Sequence, residues 1–473
     1  MNEQLSQKEL LSAVLLSYQV ATYDFEEIKG TAVTLYKFRP KVGVRISRIR
    51  SIKDELASVL GVPSLRIIAP MQDGSVGIEV PNKVRDIVPI DSLFESETYK
   101  QTTMALPCCL GLTVTNEVFM ADLAEMPHLL VAGATGQGKS VGLNVILMSL
   151  MHHLTPDELK LVLIDPKQVE FSIYENYPKS YFANIGLNDN ICTDTESAEQ
   201  TLSALCRLME QRYSLLRKFN VRNIKEYNAA VPEASASGKL PYVVVIIDEY
   251  GDLVMTAGRE VEKSICRIAQ KARAVGIHMI ISTQRPSATI VTGNIKANFP
   301  VRIAFRTTTG TDSRVIIDRN GAEKLTGRGD MLYCEGADMT RVQGAYVDTD
   351  YIYNFRDEVS ELYENTENPS LFIEEVQQQE HRQQIFLSQH LFTNIEDLAH
   401  KVADYPATNT EMVRRLLGGS YHIEVGEMLI QLHQLGIVSK PDFWYGGKCT
   451  VIVRDHNRIT EIIKEAKALE PDL

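Results

Sequence analysis

Residues 133–140 read Gly-Ala-Thr-Gly-Gln-Gly-Lys-Ser. They follow the apolar run His128-Leu129-Leu130-Val131-Ala132 and precede the helix-forming Val141-Gly142-Leu143-Asn144-Val145-Ile146-Leu147, so the spacing G-x-x-x-x-G-K-[ST] stands in a strand, loop and helix setting. Gly133, Gly136 and Gly138 let the backbone N–H groups of Ala134, Thr135, Gln137 and their neighbours through Val141 curl round a β-phosphate. Lys139 reaches the β and γ oxygens, and Ser140 offers its hydroxyl to Mg²⁺. Residues 133–141 are therefore the expected binding loop for a nucleoside triphosphate.

A second element turns binding toward hydrolysis. Pro241-Tyr242-Val243-Val244-Val245-Ile246-Ile247 is a β-branched run, too short for a membrane span and typical of a buried parallel strand, and it ends in Asp248-Glu249. At the C-terminal edge of a P-loop sheet, the first carboxylate orders the metal's water shell and the second polarises the attacking water. Elsewhere an Asp-Glu pair is a solvated turn; downstream of a P-loop the catalytic reading is preferred.

The chain carrying these groups has 473 residues, enough for about three domains. With 44% hydrophobic and 23% charged residues it has the composition of a globular protein, which excludes a fibrous or wholly disordered one. Seven cysteines form no C-x-x-C pair and read as reduced thiols. No apolar stretch approaches membrane-span length and the first residues lack a hydrophobic signal core, so a cytoplasmic protein with no membrane association of its own is expected. A net charge of −12 argues against a nucleic-acid partner. Yet residues 259–328 hold thirteen Lys/Arg against five Asp/Glu, which fits either a basic channel lining or solvated helix faces.

Strand candidates at 31–36, 42–46, 65–68 and 76–80 around a helical stretch at 49–60 suggest a small α+β domain. Strands at 128–132, 160–164, 242–247, 278–282 and 301–305 alternate with helices such as 197–217, which calls for a mostly parallel sheet covered on both faces. The expected layout is a domain at 1–105, an α/β nucleotide-binding domain at 106–357, an acidic linker at 358–385 and a winged-helix-like domain at 386–473.

Beyond the P-loop, Ile164-Asp165-Pro166-Lys167, Val221-Arg222-Asn223, Ala269-Gln270-Lys271-Ala272-Arg273-Ala274, Gly276-Ile277-His278, Thr283-Gln284-Arg285-Pro286-Ser287, Ile295-Lys296-Ala297-Asn298, Asp312-Ser313-Arg314 and Gly329-Asp330-Met331-Leu332-Tyr333 follow one another in order. This series resembles the FtsK/SpoIIIE family of DNA translocases. The front part, with Val44-Arg45-Ile46-Ser47-Arg48-Ile49 and Gly77-Ile78-Glu79-Val80-Pro81-Asn82, is similar to the family's ring-forming α domain. The resemblance implies a RecA-like motor that uses ATP and Mg²⁺ and assembles as a homohexameric ring on double-stranded DNA. Under it, Gly138, Lys139 and Ser140 bind phosphate and metal, Asp248 supports the metal, Glu249 the water, and Gln284 senses the γ-phosphate. Arg273 matches the arginine that a neighbouring subunit inserts, with Arg267 and Arg302 as rival fingers. Segments 291–298 and 307–314 match the family's lumen loops and offer Lys296 and Arg314, with Arg285 nearby, to DNA phosphates. A lysine often found in the family is replaced by Thr309-Gly310, which implies a weaker or redistributed grip. Arg328, in Gly327-Arg328-Gly329-Asp330, fits a turn as readily as a DNA contact and is left out of the set.

The tail resembles the family's winged γ domain only weakly. Its expected recognition helix, 421–428, carries Glu424 and Glu427 where basic residues should face DNA. A protein partner, or a different lower-affinity site built on Arg414, Arg415 and Lys448, is therefore expected there. The sequence holds no counterpart of the membrane region of septal family members; were it the full product, something other than fixed septal pumping would be expected. A conjugative or mobile-element coupling ATPase is the alternative enzyme. An inactive P-loop scaffold is disfavoured by intact Lys139, Ser140, Asp248 and Glu249.

Overall fold

The computed structural model describes residues 6–71, 73–186, 190–231, 238–372 and 392–416, then parts of 428–439 and residues 449–468. The chain divides into two units, Met1–Phe372 and Ile373–Leu473.

The first unit opens with α1 (Gln7–Ser17), closed at its start by a reciprocal Ser6–Glu9 capping box. Then come β1 (Thr22–Lys29), β2 (Val33–Pro40), α2 (Ile46–Ser51), α3 (Lys53–Leu60), β3 (Arg66–Ile68) and β4 (Val76–Pro81), the strands forming an antiparallel sheet in the order β1-β2-β4-β3. Leu11, Leu15, Phe38, Ile49, Leu56 and Ile78 are the centre of its core. Two expectations fail here. Residues 42–46 are no strand, because Gly43 turns the chain at φ +95° straight into α2. The single helix expected over 49–60 is broken at Ile52 into α2 and α3. The charged edge strand β1, which shows no clean apolar alternation, escaped the sequence pattern altogether.

The remainder of this unit runs α4 (Ile90–Phe94), α5 (Glu97–Lys100), β5 (Pro107–Thr113), β6 (Val118–Asp122), β7 (His128–Ala132), α6 (Lys139–His153), β8 (Leu159–Ile164), β9 (Ile191–Cys192), α7 (Thr195–Lys218), α8 (Ile224–Ala230), β10 (Tyr242–Ile247), α9 (Tyr250–Ala257), α10 (Arg259–Lys271), β11 (Ile277–Thr283), α11 (Gly293–Asn298), β12 (Val301–Phe305), α12 (Gly310–Ile317), β13 (Asp330–Glu335), β14 (Asp338–Gly344) and α13 (Thr349–Tyr363). One sheet collects the strands in the order β6-β5-β14-β13-β12-β7-β11-β10-β8-β9, parallel from β12 to β9 and antiparallel in the other half. The expected α/β class with a mostly parallel sheet is what this topology is. Its central strands are buried on both faces, which is why they read as unbroken apolar runs. Among the described residues no helix is long and apolar enough to cross a membrane.

The two sheets of this unit are joined by a buried ionic triad. Arg341 on β14 donates to both oxygens of Asp330, at 2.9 and 2.7 Å, and to Glu79 on β4. Burial alone would raise the Asp330 carboxyl, but Arg341 holds it below its ordinary value. Helix α13 runs through residue 358, where the linker was expected to begin, and Asn368 and Leu371 are still hydrogen-bonded to the region 179–184.

In the second unit, α14 (Phe392–Ala403), β15 (Ala407–Thr408), α15 (Thr410–Leu416), β16 (Cys449–Thr450) and α16 (His456–Ala468) surround Leu398, Val402, Val413, Leu432, Ile437 and Ile459, with β15 antiparallel to β16. Residues 421–427, most of the expected recognition helix, and Lys448 lie outside the described residues. Arg415 is engaged by Glu411 at 3.2 Å.

Candidate nucleotide site

Strand β11 lies between β7 and β10: β7 and β11 end level, with Thr283 paired to Ala132, whereas β10 ends two residues earlier, with Ile247 opposite Ile281. The P-loop leaves β7 at this edge, and Asp248-Glu249 leave β10. The last residues of β11 therefore lie between the phosphate loop and the carboxylates. Gly138 takes φ +116° directly before α6, and a Cβ there would meet the backbone of Gly329 at 2.7 Å. No side chain caps α6, so its first N–H groups stay available to an anion. A cavity of about 400 Å³ opens beside this loop, lined also by Arg85, Val88, Gln284, Gly329 and Tyr346. Gln137 O accepts the Gly329 N–H at 3.0 Å, and Arg85 donates to Thr326 O at 2.9 Å, so the 326–329 turn is braced against the P-loop.

Lys139, only 3% exposed, is ion-paired with Asp248 and donates to Ser282 Oγ at 3.0 Å; Ser282 donates in turn to Asp248 Oδ1 at 2.6 Å. The buried ammonium and carboxylate thus neutralise each other at the place where a triphosphate would bring negative charge. Glu249 sits at φ +46°, a left-handed conformation that a non-glycine residue adopts at a cost of order 1 kcal/mol and that clusters at functional sites. Its carboxylate accepts from Thr283 Oγ1 at 2.8 Å and from the Gln284 N–H at 3.1 Å. The Gln284 side chain accepts from Thr135 of the P-loop at 2.7 Å. Ser140 donates to Glu170, a residue the sequence reading passed over although it stands five positions beyond Asp165. Ser282 and Thr283 were likewise missed as polar partners, because they read as strand residues.

The other expected residues are placed differently. Arg273 lies on the exposed turn after α10 and pairs with Glu125 at 2.9 Å. Buried Arg212 on α7 donates to Val275 O at 2.8 Å, and Tyr213 donates to Lys271 O, so this turn is held from below. Of the rivals, Arg267 pairs with Glu210, and Arg302 is engaged by Asp318 and by backbone carbonyls. Lys296 pairs with Asp318 at 2.7 Å, while Arg314 is exposed and donates to Thr311 Oγ1 at 3.4 Å. Arg285 is exposed, 3.8 Å from Asp252. The segments expected as lumen loops contain the short helices α11 and α12, capped by Thr292 and Thr309. Arg328 stands in a turn at φ +53° and also lines the cavity.

The profile of the FtsK/SpoIIIE family matches residues 90–288, and that of the FtsK alpha domain residues 1–82. The DNA translocase FtsK of Haemophilus influenzae is 40% identical over 370 residues, a match covering 73% of this chain and 68% of the relative. The chain belongs to the FtsK/SpoIIIE family. The DNA translocase FtsK of Treponema pallidum is 45% identical over 67% of this chain, but the match takes in only 40% of that relative's length. Among solved structures, the pCW3 conjugation coupling protein TcpA, in its monomer form with ATPγS, is 26% identical, covering 75% of this chain and 99% of that one at a TM-score of 0.53. The FtsK/SpoIIIE match spans 133–141, Asp248, Glu249, Arg273, Gln284 and Arg285; Lys296 and Arg314 lie beyond its end.

Proposed function

We propose that the chain binds ATP in the cavity beside the P-loop, hydrolyses it, and uses the energy to drive double-stranded DNA through a ring of six identical subunits. Family membership and the names of its relatives support DNA as the substrate. The observation that carries the chemistry is Glu249, buried, backbone-strained and oriented by Thr283 and Gln284, with Gln284 reaching the P-loop through Thr135.

In this reading Lys139 leaves Asp248 for the β and γ oxygens when the triphosphate arrives. Asp248 is thereby released towards the hydroxyl end of the site. Ser140 and Asp248 present hard oxygen donors, the kind Mg²⁺ prefers, so the residues fit that ion. Bound there it would neutralise charge on the transferring phosphoryl group. Glu249 polarises the attacking water, and Gln284 moves with the γ-phosphate because one residue touches both Thr135 and Glu249. Arg273 acts on a neighbouring subunit's site, and Lys296, Arg314 and Arg285 contact DNA phosphates. The second unit is assigned to a protein partner.

ATP turnover measured with and without linear duplex, together with displacement of a bound roadblock, tests the reading. Duplex should stimulate turnover; Glu249→Gln should bind ATP without hydrolysing it and should leave the roadblock in place. Turnover indifferent to DNA, or intact in Glu249→Gln, would overturn it. A second reading, a coupling ATPase that delivers DNA to a secretion channel, is favoured by the likeness to the coupling protein. It requires loss of plasmid transfer, with normal chromosome partition, when the chain is deleted.

A further inference from the structure

We infer that Glu170 positions the metal at the nucleotide site by accepting the hydrogen bond of the P-loop hydroxyl; this rests on the ATP-binding reading above. Asp248 is occupied by Lys139 and Ser282, and the carboxylate that Ser140 addresses is Glu170. A serine hydroxyl whose hydrogen is committed to a fixed carboxylate keeps its lone pairs for a cation. The carboxylate itself adds a second negative charge beside that position.

The fold brings Glu170 there by two independent fastenings. Asp165, fully buried at the end of β8, accepts the N–H groups of Val169, Glu170 and Phe171 at 2.9, 2.9 and 3.1 Å and that of Lys167 at 3.1 Å. This one side chain closes the whole turn. Four residues after Ser140, on the same face of α6, Asn144 accepts from Tyr174 Oη at 3.1 Å, and Tyr174 and Phe171 are buried. The 165–174 segment is therefore laid along the helix face that carries Ser140, and Glu170 is its partly exposed acidic residue facing that hydroxyl.

Electrostatics give this placement a signature. Without a cation, a carboxylate beside Ser140 repels a triphosphate; with one, it strengthens the bound pair. Glu170→Gln should therefore leave metal-free ATPγS binding unchanged or tighter while weakening binding in Mg²⁺. Calorimetric titration of the full chain with ATPγS, in Mg²⁺ and in EDTA, reads both affinities. The expected result is that the Mg²⁺-induced gain in affinity falls at least tenfold in Glu170→Gln and is partly regained in Glu170→Asp. An equal loss with and without Mg²⁺ would mean that Glu170 is only structural, and an unchanged Mg²⁺ gain would mean that it does not act on the metal; either overturns the inference while leaving the ATP site intact. Failure of the unmodified chain to bind ATPγS in either condition would overturn both.

Discussion

Thr135, in the P-loop, donates its hydroxyl to Gln284 at 2.7 Å, while the backbone N–H of the same glutamine holds Glu249 at 3.1 Å. The phosphate loop and the water-polarising carboxylate are thus joined through one residue at the end of β11. Gln284→Ala should leave ATP affinity within a few-fold but lower turnover by about 10²-fold, the cost of removing one well-placed polar group from a charged transition state. Single-turnover hydrolysis checks it; a fall in affinity with unchanged turnover would make Gln284 a binding residue instead.

Lys139→Ala should do more than abolish nucleotide binding. It strands Asp248 as an unpaired buried charge, so the full chain should lose about 3 kcal/mol of stability. Lys139→Ala combined with Asp248→Ala should be less destabilised than Lys139→Ala alone, and denaturant unfolding of the three proteins decides between the outcomes.

His128 at the start of β7 and His278 on the neighbouring β11 sit together, with ring centroids 6.3 Å apart. Burial pushes His128 down to about 3 and His278 down to about 4 from an ordinary 6.5. Between pH 6.5 and pH 4 the unfolded chain therefore binds more protons than the folded one. Stability should be level above about pH 6.5 and fall as the pH drops towards 4, by about 1.4 kcal/mol per pH unit for each histidine. Unfolding midpoints at pH 7 and pH 5 test the slope, which His278→Leu should make shallower.

Arg273 has no partner in its own phosphate loop; its ion pair is with Glu125 on the surface. If it serves a neighbouring site, Arg273→Ala and Glu249→Gln subunits, each inactive alone, should recover ATPase activity when mixed. Normal hydrolysis by Arg273→Ala would pass the role to Arg267 or Arg302.

Asp318 holds both Lys296 and Arg302, and these two cations keep its carboxyl below the ordinary range although burial alone would raise it. Asp318→Asn should release Lys296 and tighten duplex binding several-fold at low salt, whereas Lys296→Ala and Arg314→Ala should weaken it and flatten its salt dependence. Fluorescence anisotropy on duplexes of different base composition, across a salt series, reads this directly. Equal affinities for all three variants would remove these residues from the DNA contact.

The local sequence by itself determined the parts that depend on spacing along the chain. The P-loop spacing places Gly138, Lys139 and Ser140 at a helix start, and the apolar runs of β7, β10 and β11 are buried on both faces wherever a parallel sheet forms. The family and the α/β class followed from the same motifs. Only the tertiary structure decided which strand lies between β7 and β10, and hence that Ser282 and Thr283 become partners of Asp248 and Glu249. The same holds for Glu170 at Ser140, Arg341 between Asp330 and Glu79, and Lys296 on Asp318. These pairs are far apart along the chain, and the apolar periodicity that predicts a strand says nothing of its neighbour in the sheet. The break of the 49–60 helix at Ile52 and the charged edge strand β1 were hidden for a related reason: packing against the small sheet outweighs weak local propensity.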